Sequence, residues 1–600
     1  MNSDAGPADR RAKGVRGGAG LLAAALAVAG CKSPFDADGV EGGGADAALR
    51  NAVVVEHRRH LTGLQDAEGR PIVIEVDRPR SDVEARLSDE RLAELNEISG
   101  SAAYEGVDVE PGVDLAGMTA PRVVNLSRSE AVGLAVAGNL DLEVARVLPK
   151  IAAQQLEQAE SDFDAVLFAD LDWQKLDTPQ PPGTVVGLAN DTQSENFTLT
   201  TGVRRLLTTG GTVQLETSIA RNEQEPSFFA VDSFYDADVL ASITQPLLRG
   251  FGSDVTTAQV VLARNAEADA EAQLAQALND LVLAVEEAYW NLDLSRRQVL
   301  IQQRLLDRTV AERDRLQERA EFDVSPVRIT EANSRVELRR SDLIRVRAAT
   351  RNASDNLKRL INSDDLPLAD ETLVLPRDAP VDSPIAFSLL DAVTTALERR
   401  PELERALLAI DDAEVRQRVA DNAVLPRLDL TAAVGLNGID EDEAGDAFDE
   451  LTDADFIDFI LGLSFERPIG NRGPEALAEQ RRLERSQSLL AYRRDAQDVV
   501  LEVKDALRGV LTNYELVGAT RAARWAAADS LRSINVQEDV GVALNVEFIL
   551  DLKLNAQERL ADAEFQEAQA LANYMVSIAE MERAKGVLAE RYGVEVGDGR

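Results

Sequence analysis

Apolar side chains recur along this chain with two periods. Leu274, Leu278, Leu281, Val285, Ala288 and Leu292 are spaced by alternating fours and threes, the seam of a long coiled-coil helix. Ile329, Val336, Leu343 and Leu357 share one heptad position, with Thr350 between the last two. Elsewhere the period is two. Leu428, Leu430, Ala432, Val434 and Leu436 alternate with Asp429, Thr431, Ala433, Gly435 and Asn437. Ile457, Phe459, Leu461, Leu463 and Phe465 alternate with Asp458, Ile460, Gly462, Ser464 and Glu466. Leu167, Ala169, Leu171 and Trp173 alternate with Phe168, Asp170, Asp172 and Gln174. One apolar and one polar face over ~9–11 residues marks a transmembrane β-strand. A soluble sheet packed on one face gives the same pattern, so the strands alone leave both open.

The elements occur twice in the same order. Asn139-Leu140-Asp141-Leu142 matches Arg400-Pro401-Glu402-Leu403, Gln245-Pro246-Leu247-Leu248-Arg249-Gly250 matches Glu466-Arg467-Pro468-Ile469-Gly470, and Val324-Ser325 matches Val540-Gly541. Each copy predicts a moderate helix (Ser127–Ser161, Phe387–Asn422), then strands, then a long helix (Asp254–Phe322, Glu475–Asp539) and a returning helix (Val327–Ile361, Val546–Leu588). About 69 helical residues reach roughly 100 Å. The first copy has extra residues among its strands, where Phe197–Leu207 and Thr212–Ala220 flank Thr209-Gly210-Gly211 as a further hairpin. Residues 121–365 form the first repeat and 387–590 the second. A linker at 366–386, with Pro367, Pro376, Pro380 and Pro384, separates them, and 591–600 is a tail. Asp440–Asp455 carries nine acids and no Lys or Arg, a loop expected in water.

Composition narrows the function classes. The net charge is −41, which opposes nucleic-acid binding. The single cysteine, Cys31, forms no intrachain disulfide and no zinc set. His57 and His60 lack a third ligand nearby and lie outside the repeats. No metal site, cofactor site or catalytic constellation is expected.

The N-terminus reads as a secretion signal. Arg10, Arg11, Lys13 and Arg16 precede an apolar run from Ala19 to Ala29, too short to span a bilayer. The run ends at Val28-Ala29-Gly30-Cys31, which resembles a bacterial lipobox. Residues 1–30 are then a lipoprotein signal peptide, Cys31 the lipidated residue, and Lys32 after it a residue compatible with outer-membrane sorting. Residues 31–120 are expected as a periplasmic tether, with a short strand at Ile72–Val76 and a helix at Asp82–Ile98. This signal favours a membrane location for the strands.

The phrase Gln245-Pro246-Leu247-Leu248-Arg249-Gly250-Phe251-Gly252, the phrase Ala570-Leu571-Ala572-Asn573-Tyr574 and the duplicated plan over Leu126–Leu588 resemble the TolC-type outer-membrane factors, in their lipoprotein subtype. The resemblance implies a mainly helical chain with membrane β-structure. Three copies would pool strands into one outer-membrane β-barrel, continued by a periplasmic α-barrel. It implies a passive duct for efflux or type I secretion, a periplasmic adaptor and an inner-membrane pump as partners, and contact with outer-membrane lipid. The hairpin tips, Val324, Ser325 and Pro326 with Val540, Gly541 and Val542, would meet the adaptor. Glu331, Glu547 and Asp551 would ring the aperture. Ala543 stands where the family carries a basic residue, and Arg328 is the candidate substitute. Ordinary solvated helix surface is the competing reading of these acids. A periplasmic adaptor lipoprotein or a coiled-coil scaffold is the functional alternative; neither would need strands before each long helix.

Overall fold

The computed structural model describes residues 50–56, 72–100, 104, 115, 122–179, 191–225, 231, 233–319, 325–539 and 546–594. The chain divides into Met1–Asn51 and Ala52–Arg600, and the architecture here is that of the second unit. Its elements are β1 (Ile74–Val76), α1 (Asp82–Arg86), α2 (Asp89–Ile98), β2 (Val123–Leu126), α3 (Arg128–Gly138), α4 (Leu140–Glu160), β3 (Val166–Pro179), β4 (Asp191–Leu206), β5 (Thr212–Glu225) and β6 (Ser233–Pro246). There follow α5 (Ser253–Thr256), α6 (Ala258–Glu318), α7 (Pro326–Ile361), β7 (Leu373–Pro376), β8 (Ile385–Phe387), α8 (Leu389–Arg399), α9 (Pro401–Ala423), β9 (Arg427–Asp440), α10 (Ala444–Asp453), β10 (Ile457–Glu466), α11 (Arg472–Asp539), α12 (Val546–Ala584) and α13 (Leu588–Arg591).

The heptad seams are where the sequence puts them. Val299 and Leu306 on α6 bury against Val336 and Leu343 on α7, and Thr350 and Leu357 continue the row. Each moderate helix is in fact two. Asn139 leaves helical geometry at ψ 126° and its side chain accepts from Leu142 N–H, capping α4. In the second copy Pro401 opens α9 and holds Arg400 at ψ 124°, as the residue before proline requires. The two breaks dock alike. Asn139 Nδ2 donates to Leu360 O at 2.9 Å at the end of α7, and Gly138 lies so close that an added Cβ would stand 2.6 Å from Asn362 O. Across the second copy, a Cβ on Gly586 after α12 would stand 3.1 Å from Arg399 O. The tertiary structure repeats with the sequence.

All strands of the two copies enter one antiparallel sheet, ordered β10-β9-β6-β5-β4-β3. The 197–220 hairpin is therefore part of this sheet. So is β6, where Tyr235, Ala237, Val239, Ala241 and Ile243 alternate with Asp236, Asp238, Leu240, Ser242 and Thr244. Register puts the apolar rows on one face. Leu171 pairs with Leu199, Leu199 with Ile219, Ala241 with Val434 and Val434 with Phe459. The other face carries Asp170, Asp172, Glu216, Asp238 and Asp458.

At the helical end of the sheet, β6 leaves through Gly250 (φ 85°) and Gly252 (φ 104°), a backbone that side chains rarely adopt. Asn422 Oδ1 accepts from Gly250 N–H at 2.7 Å. The second copy uses Gly470 (φ 97°), with Asn471 Nδ2 donating to Val424 O at 2.9 Å.

Two expectations are corrected. The acidic stretch 440–455 is not simply a solvated loop: it folds as α10, and Ala447 and Leu451 bury against Ala237 with Tyr235, Val239 and Leu436 around them. Its acids lie on the other side of an amphipathic helix. The proline-rich segment 366–386 supplies strands: β7 pairs in parallel with β2 and β8 antiparallel with β1.

The expected single helix at Asp82–Ile98 is split into α1 and α2 by Ser88, whose hydroxyl caps α2. This part of the chain is more than a tether. Leu95 is fully buried with Trp525, Leu531, Ile534 and Leu560 of the second hairpin. Among the described residues, no helix is long and apolar enough to cross a membrane.

Candidate functional site

Of the expected site residues, Cys31, Val324, Val540, Gly541, Val542 and Ala543 lie outside the described residues, as do His57 and His60. Glu547 falls in the first turn of α12, and its side chain is likewise outside the description. Ser325, Pro326, Arg328, Glu331 and Asp551 are described. Ser325 is extended (φ −71°, ψ 143°) and Pro326 occupies the first helical position, where its missing N–H is no loss.

The structure brings Glu331 and Asp551 together across the two hairpins, through arginines. Arg328 Nη1 donates to Glu331 Oε2 at 2.9 Å and to Asp551 Oδ2 at 3.2 Å. Arg335 Nη2 donates to Glu331 Oε1 at 3.2 Å and stands 3.8 Å from Asp551 Oδ1. Two acids and two arginines make a formally neutral cluster. The Arg335 hydrogen bond, aided by Arg328, holds the Glu331 carboxyl below the usual glutamate range. Glu331, backed by the charge of Asp551, raises the Arg328 guanidinium above its ordinary value.

A second, buried tier lies deeper. Leu316, Ala332 and Leu554 close an apolar layer. Beside it Lys553, 4% exposed, reaches Glu312 at 3.0 Å on α6 and Glu538 at 2.7 Å on α11. Lys553 therefore ties the first hairpin to the second from within. Sequence reading missed it, although it occupies a seam position between Ile549, Ala556 and Leu560, where a lysine is out of pattern. Arg335 was also missed; its i,i+4 spacing from Glu331 was the available signal.

A third tier holds the N-terminal segment. Arg524 Nη1 donates to Ser99 O at 3.0 Å and Ser99 Oγ at 2.8 Å, and Nη2 to Asn96 Oδ1 at 2.9 Å. Trp525 Nε1 donates to the same Asn96 oxygen. Tyr104 OH donates to Glu564 at 2.7 Å. Burial pushes the Glu564 carboxyl above the usual range, partly offset by Tyr104 and by the charge of Arg308. Among the described residues no group of three or more His, Cys, Asp or Glu is placed to hold a metal ion.

This arrangement offers two long antiparallel hairpins fastened at their ends by a titratable, solvent-reachable cluster and, above it, by a buried one.

Comparison with known proteins places this geometry. Residues 392–587 match the family model described as outer membrane efflux protein. Over 221 residues the chain is 24% identical to the alkaline protease secretion protein AprF of Pseudomonas aeruginosa. That match covers 36% of this chain, and the chain spans 43% of the length of that curated relative. Among solved structures, a membrane protein from Pseudomonas aeruginosa aligns with TM-score 0.55 at 19% identity, covering 78% of this chain and 94% of that one. The Campylobacter jejuni CmeC outer membrane channel aligns with TM-score 0.57 at 15% identity, covering 82% and 93%. At these identities the likeness establishes the fold.

Proposed function

We propose, for a chain that carries an outer membrane efflux protein domain on the TolC-type outer-membrane-factor fold, that it is a passive exit duct and not an enzyme. Three copies pool their sheets in the outer membrane, and the long helices extend into the periplasm. Cys31 carries the lipid anchor. The tips around Val324, Ser325 and Pro326 and around Val540, Gly541 and Val542 receive a periplasmic adaptor, which links the duct to an inner-membrane pump. Cargo and energy come from those partners.

The observation that carries this reading is the sheet. Six strands of 10 to 16 residues present an apolar face, open except where α10 covers Ala237, and an acidic face. Leu461 and Phe459 are each 79% exposed in the single chain. An uncovered apolar face of that extent requires lipid or a partner, and the strand lengths suit a bilayer. An adaptor or a coiled-coil scaffold has no use for such a sheet.

On this reading the Arg328–Glu331–Asp551–Arg335 cluster holds the periplasmic end closed, taking the place of the basic residue that Ala543 replaces. Glu331, Asp551 and Glu547, each present three times, then surround the aperture and favour cations when the arginines release them.

The test is reconstitution of the full-length protein into planar bilayers, with fractionation of the cells that make it. The expected outcome is cation-preferring single channels and a protein that stays with the outer membrane after carbonate washing. A protein released by carbonate, giving no channels, overturns the reading.

A further inference from the structure

We infer that the outer-membrane wall formed by this chain has eighteen strands, six from each of three copies, with each seam made by β10 of one copy pairing with β3 of the next. The inference rests on the duct reading above and deepens it. The two halves of the chain do not contribute equally. The second gives β9 and β10; the first gives β3 to β6, because the β4–β5 hairpin is inserted between the two strands that correspond to β9 and β10.

The insertion is built into the wall rather than laid on it. Fourteen register pairs join β4 to β3 and fourteen join it to β5. Its turn at Leu207–Gly211 is fixed at the helical end: Gly252 N–H donates to Thr209 O at 3.2 Å, and Gln245 Nε2 donates to the same oxygen at 3.1 Å. A Cβ on Gly210 would stand 2.1 Å from Gly250 O, so the turn packs against the β6 exit with room for glycine alone.

Parity permits closure. Every neighbouring pair in the sheet is antiparallel, so with six strands β3 and β10 run in opposite directions. A head-to-tail ring of identical copies therefore continues the antiparallel ladder at every seam. The two edges also hold its most exposed apolar side chains, Leu167 at 78% on β3 and Leu461 at 79% on β10. Left open, such edges invite aggregation, and closure removes them.

Width agrees as well. Strands ~4.8 Å apart and tilted ~40° occupy about 6.3 Å of circumference each, so six span roughly 38 Å of arc. Four helices side by side at ~9.5 Å span about the same arc. Four strands would cover only roughly 25 Å of it.

The test uses the full chain in lipid nanodiscs. Leu461→Cys is combined in turn with Leu167→Cys, Ala169→Cys and Leu171→Cys, to allow for the seam register, and oxidised. One of these pairs should give covalent trimers, while Leu461→Cys with Ile243→Cys should not cross-link between copies. Electron microscopy of end-on particles should show a wall that narrows by roughly a third when residues 191–232 are deleted, since removing two strands per copy preserves parity. Cross-linking between β10 and β6 of different copies, or an unchanged wall diameter after the deletion, overturns the eighteen-strand wall but leaves a trimeric channel standing. Absence of both trimers and channels in the parent protein would instead sink the duct reading itself.

Discussion

Arg328 on the first hairpin donates to Asp551 on the second at 3.2 Å, across 223 positions of sequence. The same nitrogen holds Glu331. The tips are thus fastened within one chain by groups that water can reach.

Arg328→Ala combined with Arg335→Ala should raise single-channel conductance severalfold while leaving the melting temperature nearly unchanged, because exposed ion pairs add little to global stability. The fastening should also respond to acid. Glu331 titrates below its ordinary value, so its contribution is present above that value and is lost as pH falls through the lowered one. Channels should open only once pH has dropped below the ordinary glutamate range. Conductance that is flat with pH and equal in the double variant would rule the cluster out as a closure.

Lys553→Met should behave differently. It leaves Glu312 and Glu538 without their buried partner, a change that typically costs about 3–5 kcal/mol. Hydrogen exchange should accelerate in residues 305–318 and 549–560 and leave the sheet unaffected. Glu312→Leu added to Lys553→Met should recover part of the loss, as removing both charges relieves the unpaired one.

Two glycines of α3 separate intrinsic helix preference from packing. A Cβ on Gly133 meets nothing within 4 Å, whereas one on Gly138 would stand 2.6 Å from Asn362 O. Gly133→Ala should stabilise by up to about 1 kcal/mol. Gly138→Ala should destabilise by roughly 1–3 kcal/mol, since a backbone atom has to move. Urea midpoints of the two variants should therefore shift in opposite directions.

Glu564, beneath Tyr104, has its pKa raised by burial. A raised carboxyl contributes stability that is complete below the ordinary glutamate value and is lost as pH climbs through the folded one. The N-terminal segment should therefore detach more readily as pH rises above the ordinary glutamate range, read by proteolysis near residue 100. Glu564→Gln should flatten that dependence; an unaltered slope in this variant would assign the pH response elsewhere.

Much of this molecule is written in local patterns. The seams through Val336 and Leu343, the alternation of β9 and β10 and the duplication itself follow from where apolar residues fall, because a helix or strand imposes its own period on whatever face is buried. The paired helix breaks were legible in part: Pro401 announces one, while Asn139 announces the other only once its cap and its contact with Leu360 are seen. Other features depended on the tertiary structure. Whether the 197–220 hairpin joins the sheet is a question of register between strands far apart, and alternation is the same for a strand inside or outside a sheet. That α10 covers Ala237 could not be read from a run of acids, whose charge hides the apolar side of the helix. Which arginine meets Asp551, and that Lys553 serves two carboxylates from different helices, is decided by how the two hairpins pack. Sequence fixes the face a residue occupies; only packing chooses the partner opposite.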